Sequence, residues 1–238
     1  MQNKGFEGEA VRNLIAKLPN IEGCVLSMDA LHCLNETFEQ VVEDKGADML
    51  VCVKDNRPTT RRTIDELLNS APTETIMRNS QVNFGHGRAE FRSIEMLPCD
   101  PEQIGYAHIH TVARVFRRRE IVRNGEVLDT QNETVHYIAT FDAAETGPVR
   151  TLQMTRGHWA IENRLHHVKD VSMDEDRSRV ANGVGRIMAA VRSVAALILN
   201  TLPVSARTAA RRIACNARLV VRFLTCGSLE HWKACFAK

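Results

Sequence analysis

Apolar positions with helical spacing come first along the chain. Ala10, Val11, Leu14, Ile15 and Leu18 predict a helix that Pro19 and Asn20 end. The short apolar run CVLSMDA (24–30) predicts a strand that closes on an acid. A second helix is expected from about Asn35, with Phe38, Val41 and Val42 on one face and Gly46 as its stop. DMLVCVK (48–54) is too short for a core helix and is bounded by turn residues, so it reads as a buried strand. Pro58 and Thr59 open a third helix with Ile64, Leu67 and Leu68 inward. Strand–helix–strand–helix order predicts an α/β layer with a buried parallel pair.

The period then changes. Val135, Tyr137, Ala139 and Phe141 alternate with Thr134, His136, Ile138 and Thr140, the pattern of a half-buried strand. Asn124-Gly125 is a hairpin turn signal, since both positions tolerate positive φ. An antiparallel β insertion is therefore expected over residues 72–150, after a partial α/β core over 1–71. Helical spacing returns at Ile161, Leu165 and Val168. A second apolar stripe joins Val180, Val184, Ile187, Val191, Ala195 and Ile198, and Pro203 ends that helix. Residues 151–202 are expected to form core helices, and 203–238 a basic helical tail with an arginine-rich helix near 205–225.

Composition narrows the class. The chain has 238 residues, 44% hydrophobic and 25% charged, which excludes bulk disorder. No stretch approaches the roughly 20 apolar residues of a membrane span, and the N-terminus lacks a signal peptide's apolar centre. The seven cysteines are odd in number and show no CxxC spacing, so free thiols and a reducing cytoplasmic setting are expected. The net charge of +2 hides an asymmetry: from Arg177 onward there are eleven bases and one acid, Glu230. A basic tail of this kind suits a polyanion such as nucleic acid, or simply a solvated helix face. Aromatic content of 5% argues against a base-stacking platform.

Two acids stand out. Asp29 lies at the carboxyl end of a predicted buried strand, where α/β sheets place ligands; it is equally suited to cap the next turn. At about 100° per residue, His158, Glu162 and Lys169 share a narrow helical arc beside the apolar stripe. That arc is either a working surface or an ordinary solvated face. His158, Glu162 and His166 could also ligate a transition metal, although no HExxH occurs. His108 and His110 read as a solvent-facing pair, and Asp174, Glu175 and Asp176 as caps for a following helix.

Four segments in order carry a resemblance. VLSMDALHC (25–33), KGADMLVCVKDNRPT (45–59), HGRAEFR (86–92) and RGHWAIENRLHHVKDVSMDED (156–176) resemble the DDE transposases of bacterial insertion sequences, in the branch that includes the H-repeat-associated proteins. The resemblance covers about residues 10–200. It implies a ribonuclease-H-like core in which carboxylates bind two divalent ions, Mg²⁺ or Mn²⁺, that clamp an in-line phosphoryl displacement on DNA. By that resemblance Asp29 and Glu162 are catalytic metal ligands. Lys169, at the Glu-x6-Lys spacing, holds a DNA phosphate, with Arg156, His158, Asn163, Arg88 and Lys54 as further DNA contacts. Thr155 stands where related transposases carry Tyr, and His158 where they carry Arg.

The resemblance also sets an expectation about what is missing. The family's first Asp lies on a first strand, with two more strands and a helix following it. The 28 residues before Asp29 hold one helix and no acid suited to a strand end. The chain is thus expected to be an N-terminally truncated, inactive transposase-like protein with an incomplete core and an unpaired sheet edge. Its expected partners are insertion-sequence DNA and a second copy in a homo-oligomer, with no membrane. A DNA-binding remnant without catalysis is the alternative.

Overall fold

The computed structural model describes residues 6–85, 88–123, 126–161, 168–173, 182–225 and 228–236. They form two compact units, 1–156 and 157–238.

The first unit is built on a six-stranded sheet in the order β1-β2-β6-β5-β4-β3. Its strands are β1 (Val25–Met28), β2 (Asp48–Val53), β3 (Met77–Gly85), β4 (Arg88–Pro98), β5 (Thr111–Arg123) and β6 (Glu126–Ala139). β1 and β2 are parallel, with Met28 opposite Val51. Every later pairing is antiparallel, and β6 joins β2 with His136 opposite Val53. The strands of residues 77–139 therefore continue the α/β sheet. They also outrun it: β6 extends ten residues before His136, so an antiparallel arm roughly 30 Å long projects past the carboxyl ends of β1 and β2.

Both faces of the sheet are covered near β2, which is why that strand reads as a continuous apolar run. One face packs Ile15 of α1 (Phe6–Lys17), Phe38 of α2 (Asn35–Glu39), Ile64 and Leu68 of α3 (Pro58–Ser70) and Ile104 of α4 (Pro101–Ile104) against Met49, Val51, Val112 and Ile138. The other packs Leu152 of α5 (Ala143–Ile161) against Leu50, Cys52, Ala113, Tyr137 and Ala139. The carboxyl end of β6 is thus buried on both sides, and His136 and Thr140 lie inside where simple alternation predicts solvent. Leu14, expected inward, is 59% exposed, because Ile15 takes the packing position of α1. Cys33, Cys52 and Cys99 are buried free thiols, and burial pushes Cys52 up to about 11; Cys24 is exposed.

Local signals explain the element ends. Helix α2 runs into a wider π turn at Gln40–Asp44, which Gly46 closes at φ +59°. A side chain there would be strained and would meet Glu22 at 3.3 Å. Pro58 opens α3 at its first turn, where its missing N–H costs nothing. Gly147, at φ +70°, kinks α5 just before Pro148. Asn124 and Gly125 lie outside the described residues, but Arg123 and Glu126 pair across them.

The second unit contains α6 (Asn182–Asn200), α7 (Ala206–Ala214), α8 (Ala217–Thr225) and α9 (Leu229–Phe236). Leu199, Leu202, Ala209 and Phe236 are its core. Ser205 caps α7 by accepting from the Thr208 N–H at 3.2 Å. The stripe Val184, Ile187, Val191 on α6, which patterning predicts for a core, is exposed instead.

Candidate active site

Asp29 follows β1 directly, with extended backbone, and caps the short turn Ala30–His32. Its Oδ1 accepts from the Ala30 N–H at 2.8 Å. Lys54 follows β2 directly. Parallel pairing puts both strand ends at one sheet edge, and the Lys54 ammonium reaches Asp29 Oδ1 at 2.7 Å. Both side chains are about half exposed. Asp29 is therefore a turn cap and an ion-pair partner at once, and Lys54, expected on DNA, is drawn to it.

The loop after β2 is tied to the turn after β1. Asn56 Nδ2 donates to the Ala30 carbonyl at 3.1 Å, and Arg57 Nη2 to the Cys33 carbonyl at 3.0 Å. These two positioning residues lie inside the KDNRPT segment, but nothing local in the sequence names their partners.

A second polar assembly anchors α3, the helix that follows this loop. Pairing places His136, Arg114, Glu95 and Arg78 opposite one another in a row across β6, β5, β4 and β3. Arg114 bridges Asp65 of α3 at 2.8 Å and Glu95 at 2.7 Å, and Arg78 reaches Glu95 at 3.0 Å. His136 Nε2 lies 2.9 Å from Asp65 Oδ1. The hydrogen bond from Arg114 holds Glu95 below the usual carboxylate range. For Asp65, partial burial pushes the carboxyl up, and the bonds from His136 and Arg114 outweigh it, so it too sits low. Strand alternation gave no sign of this site, since it put His136 on the solvent side, and its partner is 71 residues away.

The other expected site residues are placed as follows. Arg88 is exposed at the start of β4, far out on the arm. Arg156 is exposed on α5, with Nη1 3.4 Å from Gln81 Oε1. His158 and Lys169 are half-buried in the second unit, Lys169 on a π turn at Val168–Ser172. Glu162, Asn163 and His166 lie outside the described residues. Among the described residues the structure brings Asp29 and Lys54 together. Those described residues offer no group of three His, Cys, Asp or Glu side chains suited to a metal. One carboxylate whose Oδ1 already serves an amide and an ammonium does not make a divalent-ion cradle by itself.

Comparison with known proteins supplies the remaining constraint. The family model for the transposase DDE domain matches residues 4–199. Such a domain implies a ribonuclease-H-like fold, in keeping with the mixed α/β sheet, and the family generally uses divalent metal ions. Among curated relatives, the chain is 26% identical over 211 residues to "Putative transposase YncI" of Escherichia coli O157:H7, covering 80% of this chain and 51% of that protein. It is 24% identical over 206 residues to "H repeat-associated putative transposase YhhI" of Escherichia coli K12, covering 82% and 52%. It is 25% identical over 206 residues to "Putative protein YbfL" of the same strain, with the same coverage. The chain spans about half the length of the curated relatives it matches. A family match over most of its residues, carried through the strand that ends at Asp29, makes this chain a member of the DDE transposase family.

Proposed function

We propose that this chain is the transposase-like polypeptide of a bacterial insertion sequence. Its ancestral reaction is divalent-metal-dependent DNA cleavage and strand transfer, with Asp29 and Glu162 as metal ligands and Lys169 on a DNA phosphate. This stretch brings two of the family's three carboxylates, so by itself it does not carry the reaction. The observation that most supports the reading is Asp29 at the carboxyl end of β1, beside a projecting antiparallel arm, inside a region the family model matches. Carboxylates suit hard, oxygen-liganded ions such as Mg²⁺ or Mn²⁺.

Plasmid nicking in Mg²⁺ and Mn²⁺ tests it, comparing the wild-type chain with Asp29→Ala and Glu162→Ala. A well-folded chain that does not nick is expected. Metal-dependent nicking that both substitutions abolish would show that two carboxylates suffice, and the inactivity would be wrong.

A DNA-binding role without catalysis is the second reading. It is favoured by Arg207 and Arg211 on α7 and Arg218 and Arg222 on α8, all exposed. Association with DNA would then fall steeply with salt and ignore Glu162→Ala. Absence of binding at low salt removes this reading.

A further inference from the structure

We infer that the α5 side of the antiparallel arm holds an oxyanion site for a phosphate group, with Arg92, Arg117 and Arg156 as its ligands. It needs no metal. Where the phosphate belongs to a nucleic-acid backbone, the inference deepens the DNA reading above; for a free phosphate it stands without that reading. Register puts Gln81, Arg92, Arg117 and Glu133 side by side across β3, β4, β5 and β6. Alternation gives Arg92 and Arg117 the same face as Ile94 and Val115, which pack with Leu152 of α5. Glu133 stands three residues from His136, so the row lies about 10 Å past the carboxyl end of β2.

Two arginines directly opposite each other repel. Arg156 of α5 adds a third guanidinium, its Nη1 3.4 Å from Gln81 Oε1. Among the described residues their ion pairs use two carboxylates. Glu90 lies 2.7 Å from Arg92 and 4.0 Å from Arg117, and Glu133 lies 2.6 Å from Arg117. The Arg92 side chain is 14% exposed, and its Nη1 is buried with no hydrogen-bond partner among the described residues. Asn83 Nδ2 and Asn79 Oδ1, on either side of Gln81 along the same face of β3, are buried without one as well. Burial holds the Arg92 guanidinium below its usual range, and the charges of Arg156 and Arg117 add to this against the pull of Glu90. An oxyanion answers all of it at once. It accepts from the orphaned Nη1, separates the cations, and matches the planar N–H forks two oxygens at a time. Arg156 is exposed and its contact with a neutral amide is long, so it can exchange that amide for a phosphate oxygen.

Inorganic phosphate is the probe, titrated against chloride at constant ionic strength and read as the shift in Tm of the full chain. Saturable stabilisation of the wild type is expected. Arg92→Gln and Arg156→Gln should each weaken phosphate binding about tenfold or more, the loss of a hydrogen bond to a charged group. Glu133→Gln, which removes a carboxylate competing for Arg117, should tighten it. No stabilisation of the wild type beyond chloride overturns the inference, as do arginine variants that bind phosphate like the wild type. Should Arg92→Gln fail to fold, the exposed Arg156→Gln decides. Duplex DNA then separates the sources. A backbone phosphate predicts that the salt slope of DNA binding falls by about one in each arginine variant. An unchanged slope, with phosphate binding lost, assigns the site to a free phosphate. DNA binding by a wild type that ignores inorganic phosphate overturns this inference and leaves the DNA reading intact; phosphate binding without DNA binding does the reverse.

Discussion

Asp65→Ala should destabilise the first unit, and the structure says which lost contact matters. Asp65 Oδ1 serves both Arg114 and His136. Arg114 keeps Glu95 at 2.7 Å after the substitution, and Asp65 is itself 36% exposed, so that half of the loss is a screened pair worth under about 1 kcal/mol. His136 is 2% exposed and would be left with a buried ring nitrogen lacking its acceptor, which costs roughly 1–3 kcal/mol. The histidine therefore dominates. The total is about 2 kcal/mol, or a fall in Tm of about 4–8 °C for a unit of this size. Asp65→Asn keeps an acceptor oxygen and should lose less than half as much. The pH dependence carries a sign. Asp65 titrates below its unfolded value, so its contribution is complete above about pH 4 and fades as pH falls toward the folded pKa. The gap between wild type and Asp65→Ala should therefore be flat near neutrality and close in acid. Chemical denaturation at several pH values measures it. Equal losses for Ala and Asn, or a gap that widens as pH falls below about 4, would refute the argument.

Three further outcomes follow from single contacts. Lys54→Met should change stability by less than about 1 kcal/mol, since the pair is half exposed. The same substitution should raise the affinity of Asp29 for Mn²⁺, read by Mn²⁺ resonance, because the competing ammonium is gone; unchanged or weaker binding counts against a cation site there. Thr140→Val should cost about 1–3 kcal/mol in a denaturant titration: its buried Oγ1 donates to Asp48 at 2.8 Å and accepts from the Met49 N–H at 2.9 Å. Asn56→Ala removes the tether from the β2 loop to the Ala30 carbonyl and should speed amide exchange at residues 54–57, while α3 stays protected.

The turn between the first two strands shows why parts of this fold are legible in sequence. An apolar run ended by an acid, a helix closed by a glycine and a proline opening the next helix are local features, and β1, Gly46 and Pro58 stand where they predict. Their physics is contained within a few residues: capping, positive φ, a missing N–H. The strand end at Asp29 is legible for the same reason. Lys54 as its partner is not, because the pair forms only when two strands 25 residues apart lie side by side.

The chain's own residues thus determined the elements, their order, the strand-end acid and the family resemblance. Tertiary structure alone decided that β6 pairs with β2, which buries His136 and Thr140 on a strand whose alternation suggested solvent. It decided the Arg78–Glu95–Arg114–His136 row, since register across four strands is set by packing and not by neighbours in sequence. It also decided that the stripe Val184, Ile187, Val191 of α6 is exposed. Periodicity can say that a helix has an apolar face, but what covers the face depends on which surfaces the rest of the fold supplies.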